Sequence, residues 1–507
     1  MYQYSIGIDI GTTNTKAILF DSNGTALKKS SVEYPILLPE PSFREMDPDT
    51  IFDAVVHTLQ DVAGTVDRDS IGFVSFSAMM HTLIVLDGDG KPLTNCIIWA
   101  DGRSQKYVEK LRENGLGLKI YHRTGTPCHP MSPLYKIMWL RDRQPEVFRR
   151  AAKFVSIKEY VFFRLFGEYV VDFSIASATG MFNLFTRAWD AEALSLLGID
   201  ASQLSRAVPT TACFHAMDEG LRSRIGFGKN TEYVIGASDG CLANLGSGAV
   251  SKGMAAVTIG TSGAVRVCFD KPVTDGMGRV FCYILTEDKY IVGGPINNGG
   301  IAYRWFRDTF GGPEKEKAAA GGLRSYAYLD RYVEQTPPGS HGLIFLPFLM
   351  GERAPYWNSK MKGSYVGITD SHAKEDFARA TIEGICYSIN SVYQIVRDLT
   401  GDVRSVFADG GFTNNRECIR ILCDVLDTDI TVFEHTECSC LGAVLLGMHA
   451  LGDLPDLEKG SEMLRQTSTY RPRKENREIY DRLFSVYTQA AGALTPVFES
   501  LSDLQNQ

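Results

Sequence analysis

Two short stretches of this chain can be laid on each other without a gap. IDIGTTNTKAILFD occupies residues 8–21, and VTIGTSGAVRVCFD occupies residues 257–270. Ile10, Gly11, Thr12, Phe20 and Asp21 recur as Ile259, Gly260, Thr261, Phe269 and Asp270. Each stretch reads as an apolar strand, a turn of glycine and hydroxyl residues, and a second apolar strand. From Gly11 to Gly260 is 249 residues, about half of the 507-residue chain, so the pattern points to an internal duplication. One hydrophobic core rarely organises a chain this long. Two domains are therefore expected, 1–249 and 250–507, meeting in the small-residue stretch GSGAVSKG.

Much of the remaining sequence alternates strand-like and helix-like patterns, the mark of an α/β architecture. The clearest passage runs from Phe377, where Ile382, Ile385, Ile389, Val392, Val396 and Leu399 fall at helical spacing and Gly401 stops the helix. VRSVFADGG then predicts a buried strand ending in glycines, NNRECIRILCDVLD a helix, ITVF a strand and SCLGAVLLGMHALG a helix. This is a βαβα run whose turns fall at strand ends, where α/β proteins place ligands.

Charge and composition exclude several classes. The net charge is −8 and no Lys/Arg run is long enough to form a nucleic-acid surface. Eleven cysteines without CxxC spacing argue against a disulfide framework, and for a reducing cytoplasm. His435, Cys438 and Cys440 in EHTECSCLGAV lack a fourth metal ligand, and the following residues read as a packing helix. No secretory leader is visible and no apolar run approaches the length of a membrane span, so neither export nor a membrane is expected.

The paired turns suggest phosphate. Glycine lets backbone N–H groups approach a ligand closely, and hydroxyls add donors. Gly11, Thr12, Thr13 and Asn14 form the first turn; Gly260 and Thr261 head the second. GTTNTK lacks Walker spacing and runs into a strand. Asp9 precedes the first turn, whereas Thr258 stands at the matching place of the second. A carboxylate beside phosphate calls for a cation, so Asp9 points to Mg²⁺ reached through water. Lys16 is a further candidate for phosphate charge.

These residues resemble the FGGY carbohydrate kinases. MSPLYKIMWLRD from Met131 is similar to the family's first signature, and GSYVGITDSHAKEDFARATIE, residues 363–383, to its second. The resemblance covers nearly the whole chain. It implies the duplicated actin/hexokinase-like (ribonuclease H-like) ATPase fold, with two domains and an active-site cleft between them, ATP and Mg²⁺ as cofactors, and no nucleic-acid or membrane partner; homodimerisation stays open.

The resemblance also implies roles. IGASDGCLANLGSG places Asp239 as the base that takes the sugar hydroxyl's proton, and as a second carboxylate near the metal. Read without the family, Asp239 is better taken as a helix N-cap, for which Asp is a preferred residue. Gly410 and Gly411 in FADGGFTNN resemble the adenosine motif, followed by Asn414 and Asn415, between which the sequence does not choose. Gly300 and Arg304 in GGPINNGGIAYRWF fall where the family touches nucleotide, with Asn297 and Asn298 nearby, and Thr261 is the second phosphate contact. On the sugar side stand Met80, His81, Trp99, Asp101, Arg103, His129 and Lys136.

WADGRS, TPCHPMSPL, GGPINNGG and GERAPYWN are most similar to the gluconate kinases within the family, which implies D-gluconate as acceptor. Arg103, Lys136, His81 and His129 are then the cations expected around its carboxylate. Gly102 follows Asp101 as in xylulose kinases, so a pentulose or other polyol stays open. A sugar-binding module without turnover, or an actin-like ATPase, leaves the intact Asp239 or the sugar-side residues without a use.

Overall fold

The computed structural model describes residues 3–433, 437–464 and 466–505, so His435 lies outside the described residues. Strands of the two main sheets are numbered in chain order: β1 (Tyr4–Ile10), β2 (Asn14–Asp21), β3 (Ala26–Glu33), β4 (Ile71–Ala78), β5 (Cys213–Phe214) and β6 (Glu232–Ser238) in the first, then β7 (Met254–Ile259), β8 (Gly263–Phe269), β9 (Phe281–Ile284), β10 (Tyr290–Ile296), β11 (Ser405–Asp409), β12 (Ile430–Phe433) and β13 (Gln466–Tyr470) in the second. The helices used below are α1 (Pro48–Ala63), α2 (Asp239–Gly246), α3 (Gly300–Phe310), α4 (Lys374–Thr400), α5 (Arg416–Leu426) and α6 (Cys438–Ala450). The helix and strand pattern expected from residue 377 onward is therefore present, with ends shifted by a few residues.

The first sheet has the order β5-β6-β4-β1-β2-β3, and the second β9-β10-β8-β7-β11-β12-β13. In each, a central strand pairs antiparallel with its hairpin partner and parallel with a strand on its other side: β1 with β2 and β4, β7 with β8 and β11. Next out lies another parallel strand, β6 or β12, and beyond it an antiparallel edge, β5 or β13. The duplication thus holds at the level of topology.

The ungapped superposition does not hold past the turn. Asp9 pairs with Lys16 and Ile10 with Thr15, but Thr258 pairs with Ala264 and Ile259 with Gly263. The first turn is one residue longer. Because side chains alternate along a strand, that residue moves every later position to the other face. The shared Ile-Gly-Thr is structural repetition; the Phe20–Asp21 match to Phe269–Asp270 is out of register.

The chain divides into two compact units. The first is residues 1–251, 268–292 and 437–464; the second is residues 252–267, 293–436 and 465–507. In the first, β4 is buried at all eight positions, as a central parallel strand should be. Asp47 caps α1, whose Ile51, Val55, Leu59 and Val62 pack with Ile6, Ile8 and Ile10 of β1. On the opposite side α2 and α6 pack with Ile18, Phe20 and Phe73. α6 comes from far along the sequence and is apolar around most of its surface, as suits a helix buried from Cys440 to Gly447.

α2 and α6 cross at two glycines. A Cβ on Gly246 would stand 1.9 Å from the Cys438 carbonyl oxygen, and one on Gly442 equally close to that of Leu242. Only the absence of side chains lets the two backbones meet. Gly442→Ala is therefore expected to lower stability by roughly 1–3 kcal/mol, read as a fall in the thermal unfolding midpoint; an unchanged midpoint would contradict this packing.

Candidate active site

In the first sheet the parallel ladders bring three strand ends level. Ile10 pairs with Ala78, Ser238 also pairs with Ala78, and the Met79 N–H continues the ladder to the Ile10 carbonyl at 2.9 Å. The Gly11 turn, the Met80–His81 segment and Asp239 therefore leave the same edge, the carboxyl ends of parallel strands.

The first turn is closed by Gly11 N–H donating to Asn14 O at 3.0 Å and buttressed by Tyr34, whose hydroxyl donates to Gly11 O at 2.6 Å. Trp99 Nε1 donates to Thr12 Oγ1 at 2.9 Å, joining a residue expected on the sugar side to the turn expected to face phosphate. Thr13 is exposed at the tip. Lys16 is otherwise engaged: its ammonium meets Glu437 at 2.8 Å. Burial raises the Asp9 carboxyl above its usual range, against the Ser77 hydroxyl that donates to it at 2.6 Å and the nearby Lys16. A cation beside Asp9 would relieve that cost. Among the described residues no three His, Cys, Asp or Glu side chains gather into an all-protein metal site. One or two carboxylates completed by water and phosphate oxygens is how Mg²⁺ is usually held, so Asp9 and Asp239 fit that ion.

Asp239 is not the cap of its helix. Ser238 holds the cap position and accepts from Cys241 N–H at 3.4 Å, so Asp239 is the first helical residue. Its carboxylate accepts from the adjacent Gly240 N–H at 2.7 Å and is partly exposed.

The sugar-side residues divide. His81 has left-handed backbone (φ 64°), its Nδ1 lies 2.7 Å from the Ala178 carbonyl, and its ring meets Tyr283 edge-on at 5.8 Å. Met80 packs, partly buried, beside it. His129 Nδ1 accepts from Met131 N–H at 3.2 Å. Arg103 forks onto Asp101 at 2.8 Å and reaches Glu45 at 2.6 Å, with its guanidinium 3.7 Å over the Phe43 ring. Lys136 is fully buried and gives its ammonium protons to the carbonyls of His81, Ile97 and Ile98. Burial pushes this ammonium down to about 7, opposed by Asp101. Arg103 and Lys136 thus brace the loops around the expected sugar site.

The second unit contains a cavity of about 330 Å³. Gly260, Thr261, Gly300, Arg304, Gly411, Asn414 and Asn415 line it, so residues separated by more than 150 positions meet there. β7 and β11 are paired through Thr258 and Asp409, which sets the Gly260 turn beside Gly410 and Gly411. α3 starts directly on that turn: Gly300 N–H donates to Gly260 O at 2.7 Å, and a Cβ on Gly300 would stand 2.7 Å from the same oxygen. Arg304 donates to Thr261 Oγ1 at 3.3 Å. Asn415 caps α5, accepting from Glu417 and Cys418 N–H, whereas Asn414 has no such duty, which distinguishes two residues the sequence left equivalent.

The cavity also has residues that the sequence reading did not single out. Tyr303 stacks on Tyr326 with centroids 5.1 Å apart, and Tyr303 donates to Asp330 at 3.3 Å. Tyr303 and Phe412 lie inside quoted motifs and could have been found there. Tyr326 and Asp330 sit in a segment with no motif, and only tertiary folding brings them in.

Asn297 and Asn298 do not line this cavity; they are tied to Glu352, which is 1% exposed. Glu352 accepts from the backbone N–H of Asn297 and Arg353 and from Asn298 Nδ2. Burial pushes its carboxyl up to about 7, so the folded state holds a proton that the unfolded chain releases near 4.5. This contribution to stability is full below about 4.5 and is lost as pH rises through about 7, by up to about 3 kcal/mol. Chemical denaturation between pH 5 and 7 should show a shallower pH slope for Glu352→Gln; an identical slope would mean another group is responsible.

Comparison with known proteins agrees with this architecture. Residues 4–246 match the N-terminal domain, and residues 255–451 the C-terminal domain, of the FGGY family of carbohydrate kinases. A gluconokinase of Bacillus licheniformis is 44% identical over 506 residues, spanning 100% of this chain and 99% of that protein. A crystal structure of gluconate kinase from Lactobacillus acidophilus superposes with a TM-score of 0.94 at 35% identity, covering 99% of this chain and 100% of that one. A ligand-bound xylulose kinase structure from the same organism gives 0.93 at 35% identity, covering 98% and 99%. With both domains matched in order and relatives similar from end to end, the chain belongs to the FGGY family of carbohydrate kinases.

Proposed function

We propose that the protein is an ATP-dependent gluconokinase, transferring the γ-phosphate of MgATP to the terminal hydroxyl of D-gluconate to give 6-phospho-D-gluconate. The observation that carries the kinase reading is the cavity of the second unit, which gathers seven of the residues the sequence marks for nucleotide. Its aromatic pair and Phe412 suit an adenine ring, and Thr261 with Arg304 suits phosphate oxygens. For the acceptor, the support is the gluconokinase that matches this chain from end to end.

Phosphoryl transfer asks the protein mainly for positioning and charge stabilisation. Asp239 accepts the proton of the attacking hydroxyl while the new O–P bond forms and ADP departs. The turns themselves face phosphate: Thr12, Thr13 and Asn14 in the first and Thr261 in the second, while the Gly11 and Gly260 N–H groups close those turns onto Asn14 O and Ser262 O. Asp9 and Asp239 would hold Mg²⁺, which when bound supplies neutralisation of the phosphate charge. Met80, His81, Trp99, Asp101 and His129 shape the sugar side, and Arg103 and Lys136 hold those loops through Asp101 and the carbonyls of residues 81, 97 and 98.

The engagement of Arg103 and Lys136 favours one second reading. A site whose cations are already paired suits a neutral pentulose, and Gly102 points the same way. Coupled ADP release measured over D-gluconate, D-xylulose, D-ribulose and glycerol separates the two: gluconate should give the highest kcat/KM, and turnover of xylulose without gluconate would overturn the substrate assignment. Asp239→Asn should lower kcat by about 10²–10⁴-fold; full activity would remove Asp239 as base. Arg304→Ala should raise the KM for ATP about tenfold, and an unchanged KM would take Arg304 out of the nucleotide site.

A further inference from the structure

A buried charge pair lies against the end of strand β6, immediately before Asp239. Lys158, near the start of the helix Ile157–Phe166, is 2% exposed; its ammonium meets Asp172 at 2.8 Å and donates to the Ala237 carbonyl at 3.0 Å. Asp172 is fully buried and accepts from Ile175 N–H at 2.9 Å, capping the short helix Phe173–Ser177. From that helix, Ser174 Oγ donates to Ser238 Oγ at 2.9 Å and accepts from Ser238 N–H at 3.2 Å. The two residues immediately before Asp239 are therefore each held from outside their own strand, Ala237 by a charged donor and Ser238 by a hydroxyl.

Stability alone is a poor reason for this pair. Burying two ions costs several kcal/mol each, and a well-packed apolar pair commonly does as well or better. Burial pushes the Lys158 ammonium down, and Asp172, Cys241 and Asp239 oppose that shift. What the pair supplies that an apolar pair lacks is a directed bond to one carbonyl at a fixed place. Displacing a reacting group by about 1 Å can cost about 10²-fold in rate.

We propose that Lys158, oriented by Asp172 and acting with Ser174, is a positioning residue for Asp239 that fixes the Ala237–Ser238 strand end and hence the direction of the carboxylate. This rests on the reading of Asp239 as base. The decisive variant is Lys158→Met combined with Asp172→Asn: both are neutral, no buried charge is left unpaired, and Asn keeps the cap on Ile175. It should unfold within a few degrees of the parent. Its kcat with D-gluconate should fall about tenfold to a hundredfold, with the KM for gluconate and ATP changed less than about twofold. Parental kcat in the folded double variant overturns the proposal. Should the double variant not fold, Ser174→Ala decides, because it leaves the charge pair intact and removes only the hydroxyl tether: a fall in kcat at unchanged KM supports the proposal, and parental kcat overturns it. Asp239→Asn keeps the two ideas apart. If it retains activity, the base assignment fails; if it is inactive while the folded double variant turns over normally, only the positioning role fails.

Discussion

The parallel pairing of each hairpin strand with the strand beside it is the constraint on which everything else depends. β1 against β4 and β7 against β11 set the level at which the chain leaves each sheet. In the first unit that ladder puts the Gly11 turn, Met80–His81 and Asp239 at one edge; in the second it puts the Gly260 turn beside Gly410–Gly411. A slip of one residue in either ladder would turn the functional side chains to the other face. The flanking helices are fixed to hold these ladders: α1 by an apolar stripe, and α2 and α6 by a glycine crossing that tolerates no side chain.

Duplication followed by divergence explains why the two edges differ. Both sheets present an Ile-Gly-Thr turn, but only the first has a carboxylate before it. Thr258 accepts instead from Arg266 at 3.4 Å, so its place is filled by a local contact. The extra residue of the first turn leads into Lys16, which faces Asp9 across the hairpin and pairs with Glu437 at the start of α6. The acidic and basic groups around Asp9 thus belong to one balanced cluster, which accounts for an ammonium so close to the Gly11 turn being engaged elsewhere.

Several residues that look alike in the sequence have different work. Arg103 and Lys136 stand among sugar-site motifs, yet their donors go to Asp101, Glu45 and three carbonyls. Asp239 follows a strand in a way that suits an N-cap, yet Ser238 caps the helix and leaves the carboxylate partly exposed. Asn414 and Asn415 are neighbours of one type, and only Asn415 caps α5. For Lys136, and for the bond of Arg103 to Glu45, a partner far away in sequence decides; for Ser238 and Asn415 the partners are only two or three residues on, and what decides is which of two adjacent polar residues stands where the helix begins.

The sequence by itself determined the α/β class, the duplicated turns, the run of helices and strands after residue 377, the family and half of the residues that line the cavity of the second unit. These are legible because apolar periodicity, glycine turns and short motifs are written in neighbouring residues. Tertiary structure alone decided the one-residue difference between the hairpins, the entry of Tyr326 and Asp330 into the cavity, the incorporation of α6 into the first unit, and the buried Lys158–Asp172 pair against the end of β6. Each depends on ladder register or on a contact between segments remote in the chain, and burial and pairing at that range are fixed only when the whole core closes.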